Sequence, residues 1–246
     1  MGKGEEKFVS ISTKYLYENV QNILTKITEK PIFLNGGYMV RSNRYRISGI
    51  DLLDTLENWD SLMNFRIRLI ACGGTALTLL GIKESTKDVD LIVPKKNEYD
   101  KLIKFLKALN YRYKGNGLAH DDDPNFIYQL WCGNRVFTTE LLESPLKENN
   151  HILINRWSHI YLGALNLTDL IITKMFRGTQ SDREDCIAAF ATGQVDAENL
   201  LNRYSEAARY DLNPEKVLEN FMYLAEGLHE AQLINDKFYQ EVRSRL

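Results

Sequence analysis

Two aspartates two residues apart, Asp88 and Asp90, stand in the run Asp-Val-Asp-Leu-Ile-Val, shortly after the pair Gly73-Gly74. Carboxylates are hard oxygen ligands suited to Mg²⁺, which takes one or two of them and completes its shell with substrate phosphates. Glycine lets a phosphate approach the backbone closely. A helix starting at the glycines would add free amides and a dipole that favour an anion. Such a constellation could hold a nucleoside triphosphate and assist in-line attack on its α-phosphate, by neutralising charge and polarising the attacking oxygen. The plain structural alternative is an ordinary turn followed by a strand whose aspartates face solvent. Against it, Val89 and Leu91-Ile92-Val93 read as a buried strand. Residues i and i+2 of a strand share a face, and two buried acids on one face are costly without a cation.

The elements that must position these residues are legible around them. Leu69 to Pro94 reads as strand, Gly-Gly turn, short helix, loop and strand. Ile67, Leu69 and Ala71 alternate with Arg66, Arg68 and Ile70. Thr75 is a candidate N-cap, Gly81 falls at the C′ place, and Pro94 stops the second strand. Upstream, the spacing predicts helices over 14–30 and 49–62, with a turn at Asn35-Gly36-Gly37 between them. Arg41, Arg44 and Arg46 lie beside Tyr38 and Tyr45. They form either a phosphate- and base-contacting patch or a charged hairpin edge that discourages strand pairing. Downstream, a helix is expected over 95–112, then a loop with Gly115, Gly117 and Asp121 to Asp123. Two strands, 126–132 and 135–143, flank Gly133-Asn134 as a hairpin.

From about Trp157 the texture turns helical. Asn166 or Thr168 is a cap candidate, Ser181 with Glu184 suggests a capping box, Asp196 starts another helix, and Asn213-Pro214 starts the next. A last helix is expected over 235–245. The fold class is α/β, a mixed-sheet core with a C-terminal helical bundle. The expected division is 1–155, with an N-terminal extension and a core at about 60–155, and a helical part at 156–246.

Length and composition narrow the function. The chain has 246 residues, is 44% hydrophobic and 26% charged, and carries a net charge of −2. These values fit a globular protein and give no global basic field for nucleic acid. Cys72, Cys132 and Cys186 form no CxxC pair, so neither a zinc site nor a disulfide framework is suggested. The four histidines have no ligand spacing. The first residues lack a signal peptide's apolar core, and no apolar run reaches the roughly 18 residues of a membrane span. A cytoplasmic protein without a membrane partner is expected.

The phrase from Gly73 to Asp90 resembles the signature of the DNA polymerase β-like nucleotidyltransferase superfamily, a glycine pair followed by Asp-x-Asp on a strand. It looks most like the small prokaryotic branch that includes AbiEii-like toxins. Gly73, Gly74, Ala76, Leu77, Gly81, Thr86, Asp88 and Asp90 match, while Glu84 stands where relatives often carry Arg. The resemblance implies a nucleotidyltransferase core using Mg²⁺ or Mn²⁺ held by Asp88 and Asp90, with Gly73, Gly74, Thr75 and Thr86 near the nucleotide. A third carboxylate is implied on the strand beside Asp-x-Asp. Glu140 is the candidate, as catalytic and metal-binding residue, although Phe137 falls where some relatives have the acid. Lys174, with Arg177, Asp182 and Asp185 nearby, matches a second conserved arrangement. Lys174 would contact the phosphates, with Asp182 or Asp185 in support. The alternatives are a lysine snorkelling to the surface and acids that favour a helix start. The implied reaction moves a nucleoside monophosphate from the triphosphate to an acceptor. That acceptor could be tRNA or a protein, with a cognate antitoxin as partner, or a small molecule as in aminoglycoside adenylylation. A non-catalytic nucleotide-binding or interaction module is the other reading.

Overall fold

The computed structural model describes residues 46–245. The helix expected over 14–30, the turn at Asn35 to Gly37, and Tyr38, Arg41, Arg44 and Tyr45 lie outside the described residues. Arg46 is within them. Its guanidinium holds the Ser85 hydroxyl at 2.7 Å and the Ser85 carbonyl at 2.6 Å. This clamps the short ladder of β1 (Ile47–Ser48) on β3 (Ser85–Thr86).

The core is a seven-stranded mixed sheet. Its strands are β2 (Ile67–Ala71), β4 (Val89–Val93), β5 (Tyr111–Lys114), β6 (Gly117–His120), β7 (Asp123–Cys132), β10 (His151–Arg156) and β11 (Ile160–Leu165), in the order β10-β11-β2-β4-β7-β6-β5. β2 runs antiparallel to β4 and parallel to β11, and β4 runs parallel to β7. Alternation divides the strands between two faces. Leu69, Ala71, Val89, Leu91, Tyr128 and Leu162 face the main core. There α1 (Gly49–Leu62) buries Leu52, Leu56 and Trp59, and α3 (Lys96–Ala108) buries Leu102 and Leu106. Ile70, Cys72, Ile92 and Leu165 face a second, smaller cluster with Trp131 and Phe137. Asp90 lies on the face of Ile92, so it points to this second side.

Four expectations are corrected by the backbone. α3 ends at Ala108, because Asn110 turns left-handed (φ 63°) and Tyr111 enters a strand. The expected loop at 115–123 is largely β6 and the start of β7, whose alternation is broken by glycine and aspartate. The segment 135–143 does not pair with β7. It folds on itself as β8 (Arg135–Val136) and β9 (Thr139–Glu140). The helical texture starts not at Trp157 but at Leu167, because Ile160–Leu165 returns to the sheet beside β2. The Asp60 carboxylate fixes that return, accepting the amides of His159 and Ile160 at 2.7 Å each. Among the described residues, the sheet and the helices that follow belong to one compact unit.

Those helices are α4 (Leu167–Arg177), α5 (Gln180–Phe190), α6 (Ala197–Ala208), α7 (Pro214–Glu230) and α8 (Asp236–Arg245). Asn166, Asp196 and Asn213 cap as expected. The start of α5 is instead capped by Thr179, whose hydroxyl accepts the Asp182 amide and donates to the Asp182 carboxylate. This side-chain cap lies two residues before the Ser181–Glu184 pair. No helix among the described residues is long and apolar enough to cross a membrane.

Gly178 ends α4 in the left-handed region (φ 65°), and a Cβ there would lie 2.2 Å from Cγ of Asn220 on α7. Gly178→Ala adds a left-handed alanine and a clash, so stability falls by about 1–3 kcal/mol. Urea unfolding checks this: the midpoint drops at unchanged slope. An unaltered midpoint would show that the turn tolerates a side chain.

Candidate active site

Asp90 enters β4 at its second residue and Asp88 sits in the bend before it. Their backbones are pinned from α2 (Gly73–Leu79) and β3. The fully buried Thr75 hydroxyl accepts the Asp90 amide at 2.8 Å and donates to the Asp88 carbonyl at 3.2 Å. The Thr86 hydroxyl donates to that carbonyl at 2.9 Å. Thr75 therefore does not cap α2, whose N-cap is Cys72 without a side-chain bond. It lies one turn inside and holds the acid pair in place. The glycines leave room for the same residues. A Cβ on Gly73 (φ 57°) would lie 2.5 Å from Asp90 Oδ2, and one on Gly74 would lie 2.7 Å from Thr86 Oγ1. Neither position can carry a side chain without moving the acid or the threonine.

Asp90 is 7% exposed, and its Oδ1 has no hydrogen-bond partner. Burial, and then the neighbouring Asp88 charge, push its pKa up to about 6, against the pull of Arg177, the Trp131 indole and Lys174. The indole N–H comes close enough to assist the carboxylate without reaching hydrogen-bond geometry. Beside it, burial and the Asp90 charge raise the Cys72 thiol well above its usual range, so this cysteine is inert. A buried carboxylate with an unused oxygen, a second carboxylate alongside and a glycine turn against it fit a hard divalent cation bound to few protein oxygens.

The opposite wall comes from α4 and α5. Lys174 does not snorkel. It is 4% exposed, with its ammonium 2.8 Å from Asp185 Oδ2 and 3.3 Å from Asp182 Oδ1. Lys83, in the loop after α2, reaches the other oxygen of Asp185 at 2.7 Å and ties that loop to α5. Arg177 meets Asp182 Oδ1 at 2.6 Å and lies over the Phe137 ring at 4.2 Å. Burial opposes ionisation of Asp182. Hydrogen bonds from Arg177 and Thr179, with the Lys174 charge, outweigh it and hold the carboxyl below its usual range. Arg177 keeps a third of its side chain exposed, whereas the Lys174 charge is fully engaged by the two acids.

The structure therefore brings together Asp88, Asp90, Gly73, Gly74, Thr75 and Thr86. It sets Lys174, Asp182 and Asp185 as an ion-pair network, of which the Lys174 charge reaches Asp90. It does not bring Glu140 to the pair. Glu140 is on β9, whose partner is β8, and it lines a separate pocket of about 480 Å³ with Glu143, Arg203, Glu206 and Tyr210. Among the described residues no cluster of three or more His, Cys, Asp or Glu is placed to hold a metal. The strand beside β4 is β7, and the residue in register with Asp90 is Gln129. Residue types alone point to neither Gln129 nor Trp131, since both read as ordinary strand residues until the pairing is known. Arg177 is recognisable beside Lys174, but its packing on Phe137 is not.

The site thus lies on a mixed sheet, with paired acids at the start of a central strand, a glycine turn against them and a helical wall opposite. The chain belongs to the family described as "Nucleotidyltransferase of unknown function (DUF6036)", whose model matches residues 51–232. It is therefore a transferase by family. No curated protein matches it. Two solved structures are similar in part, both of the antibiotic-resistance factor ANT(2'')-Ia. A solution structure is 14% identical, covers 63% of this chain and 88% of its own, and has a TM-score of 0.43. A crystal structure in complex with adenylyl-2"-tobramycin is 14% identical, covers 65% and 97%, and has a TM-score of 0.44.

The buried acid gives metal-free stability a pH dependence. A carboxyl whose pKa is raised on folding favours the native state at low pH, and that contribution is lost as pH rises through the folded pKa. From the shift of 3.8 to about 6, wild type in chelator loses up to about 3 kcal/mol relative to Asp90→Asn between pH 4 and about 7. Urea unfolding at a series of pH values reads this difference. Parallel pH profiles for the two proteins would contradict the shift.

Proposed function

We propose that the protein transfers a nucleoside monophosphate from a nucleoside triphosphate to an acceptor, with Mg²⁺ or Mn²⁺ bound at Asp88 and Asp90. The observation that carries this reading is the buried Asp90 carboxylate, with an unused oxygen beside Asp88, in a chain of nucleotidyltransferase family. When bound, the divalent ion supplies charge neutralisation at the reacting phosphate. The chain's own residues do the rest. Thr75 and Thr86 hold the acids in register. Gly73 and Gly74 leave the wall free of side chains where phosphates approach. Arg177, the partly exposed cation of the opposite wall, meets the polyphosphate. Lys174 lends its positive field to the site and, through Asp182 and Asp185, keeps α4, α5 and the Lys83 loop in one arrangement.

Incubation of the purified protein with labelled triphosphates and candidate acceptors tests this. Label transfer that requires Mg²⁺ or Mn²⁺ and is lost in Asp88→Ala and Asp90→Ala is expected. Removing a residue that binds the reacting charge costs about a hundredfold or more. Transfer that survives loss of both aspartates overturns the reading. Nucleotide-dependent thermal stabilisation without transfer to any acceptor makes the chain a binding module. The finer placing in the AbiEii-like branch, with a tRNA or protein acceptor and an antitoxin, rests on the phrase between Gly73 and Asp90 alone. The acceptor panel therefore includes tRNA, protein and small molecules such as aminoglycosides.

A further inference from the structure

We infer that Gln129 supplies a third, uncharged oxygen ligand to the cation held by Asp88 and Asp90, in place of a third carboxylate. This rests on the proposed function and goes beyond it. β4 and β7 are parallel neighbours with Asp90 opposite Gln129 and Ile92 opposite Trp131. Ile92 and Trp131 belong to the second, smaller cluster, while Leu91 and Leu130 belong to the main core. Alternation therefore puts the Asp90 and Gln129 side chains on one face, on adjacent strands, at the same level. Both are 7% exposed, and each has a buried oxygen without a hydrogen-bond partner, Oδ1 of Asp90 and Oε1 of Gln129.

Two such oxygens cannot satisfy each other, since both are acceptors. The Trp131 indole N–H, two residues along β7 on the same face, is itself without a hydrogen-bond partner among the described residues. A buried acceptor left alone costs about 1–3 kcal/mol, and an apolar residue in place of Gln129 would avoid that cost. A hard cation shared between the carboxylates and the amide oxygen satisfies both orphans, and carbonyl oxygens of Gln are ordinary ligands for such ions. Glu140 does not compete for the place, because its strand pairs elsewhere. A site of two carboxylates and one amide carries less negative charge than a site of three acids. It binds the ion less tightly alone and depends more on the phosphates that arrive with it.

Terbium luminescence tests the assignment without relying on catalysis. Tb³⁺ is a hard oxygen-seeking cation, and the Trp131 indole beside Asp90 can sensitise its emission. The measured signal is the saturable emission lost in Trp131→Phe and displaced by Mn²⁺. Gln129→Leu is expected to weaken Tb³⁺ affinity about tenfold or more, as loss of supporting metal contacts does. Gln129→Glu is expected to tighten it by a similar factor, and Asp90→Asn to abolish it. Urea unfolding in chelator keeps the result interpretable. Gln129→Leu should be as stable as wild type, since it removes an unsatisfied acceptor, and Gln129→Glu should be less stable, since it adds a third buried acid. Wild-type affinity in Gln129→Leu, with binding lost in Asp90→Asn, would overturn the role of Gln129 and leave the acid pair as the metal site. Binding unaffected by Asp90→Asn would overturn the proposed function as well.

Discussion

The rest of the structure is arranged around the cost of keeping the Asp90 carboxylate out of water. An acid in such a place, with Asp88 next to it, resists ionisation. Among the described residues, the fold leaves one oxygen of that carboxylate, Oδ1, without a hydrogen bond. It spends Thr75 on the Asp90 amide and the Asp88 carbonyl, so the acids are held by their backbones while a carboxylate oxygen stays unused. A purely structural aspartate would gain by turning to a donor. The geometry of the glycine turn has the same sense, since Gly73 keeps space open on the side of Asp90 that a Cβ would occupy.

The helical wall answers with charge at a distance. Lys174, Arg177 and Lys83 are shared between Asp182 and Asp185. Buried ion pairs of this kind add little net stability compared with apolar packing, because desolvation offsets their attraction, but breaking one partner is severe. Their value here is positional. Lys83 belongs to the loop following α2, and Asp185 belongs to α5, so one pair of oxygens joins the two walls of the site. Arg177 stacks on Phe137, which takes a left-handed backbone (φ 54°) unusual for a bulky residue. The β8–β9 segment thus holds an aromatic ring beneath the exposed cation rather than supplying a carboxylate.

Much of this was legible in the residues. The phrase from Gly73 to Asp90 places the glycines, both threonines and both acids where the structure has them, because strand, turn, helix and strand follow one another locally and each carries its own signal. Lys174 with Asp182 and Asp185 was legible as a group because the residues sit on consecutive helices. The third position was not. Glu140 stands soon after a Gly-Asn turn in a run with strand propensity, and the sequence contains nothing that says 135–140 folds on itself. Strand order is a long-range property. β11 returns to lie beside β2 only through pairing with residues some ninety positions away and through the Asp60 carboxylate. The role of Thr75 is hidden for a related reason. A threonine after two glycines looks like a cap, and only the closeness of β4 turns its hydroxyl toward Asp88 and Asp90.

The charges of the two walls bear on how the proposed ligands would arrive. Asp88, Asp90, Asp182 and Asp185 face Lys83, Lys174 and Arg177, so at neutral pH the ionised cluster holds one more negative charge than positive. A triphosphate alone meets that surplus and the ionised acid pair at close range. A divalent ion bound as proposed would reverse the sign and leave a positive cleft. Asp90, with its pKa near 6, can also relieve the surplus by taking a proton, but a protonated Asp90 is a poor cation ligand. On the proposed reading, proton and cation would therefore compete for one buried oxygen. The same desolvation that makes the acid pair costly would, on the proposed reading, make the cleft responsive to the cation that a nucleoside triphosphate carries with it.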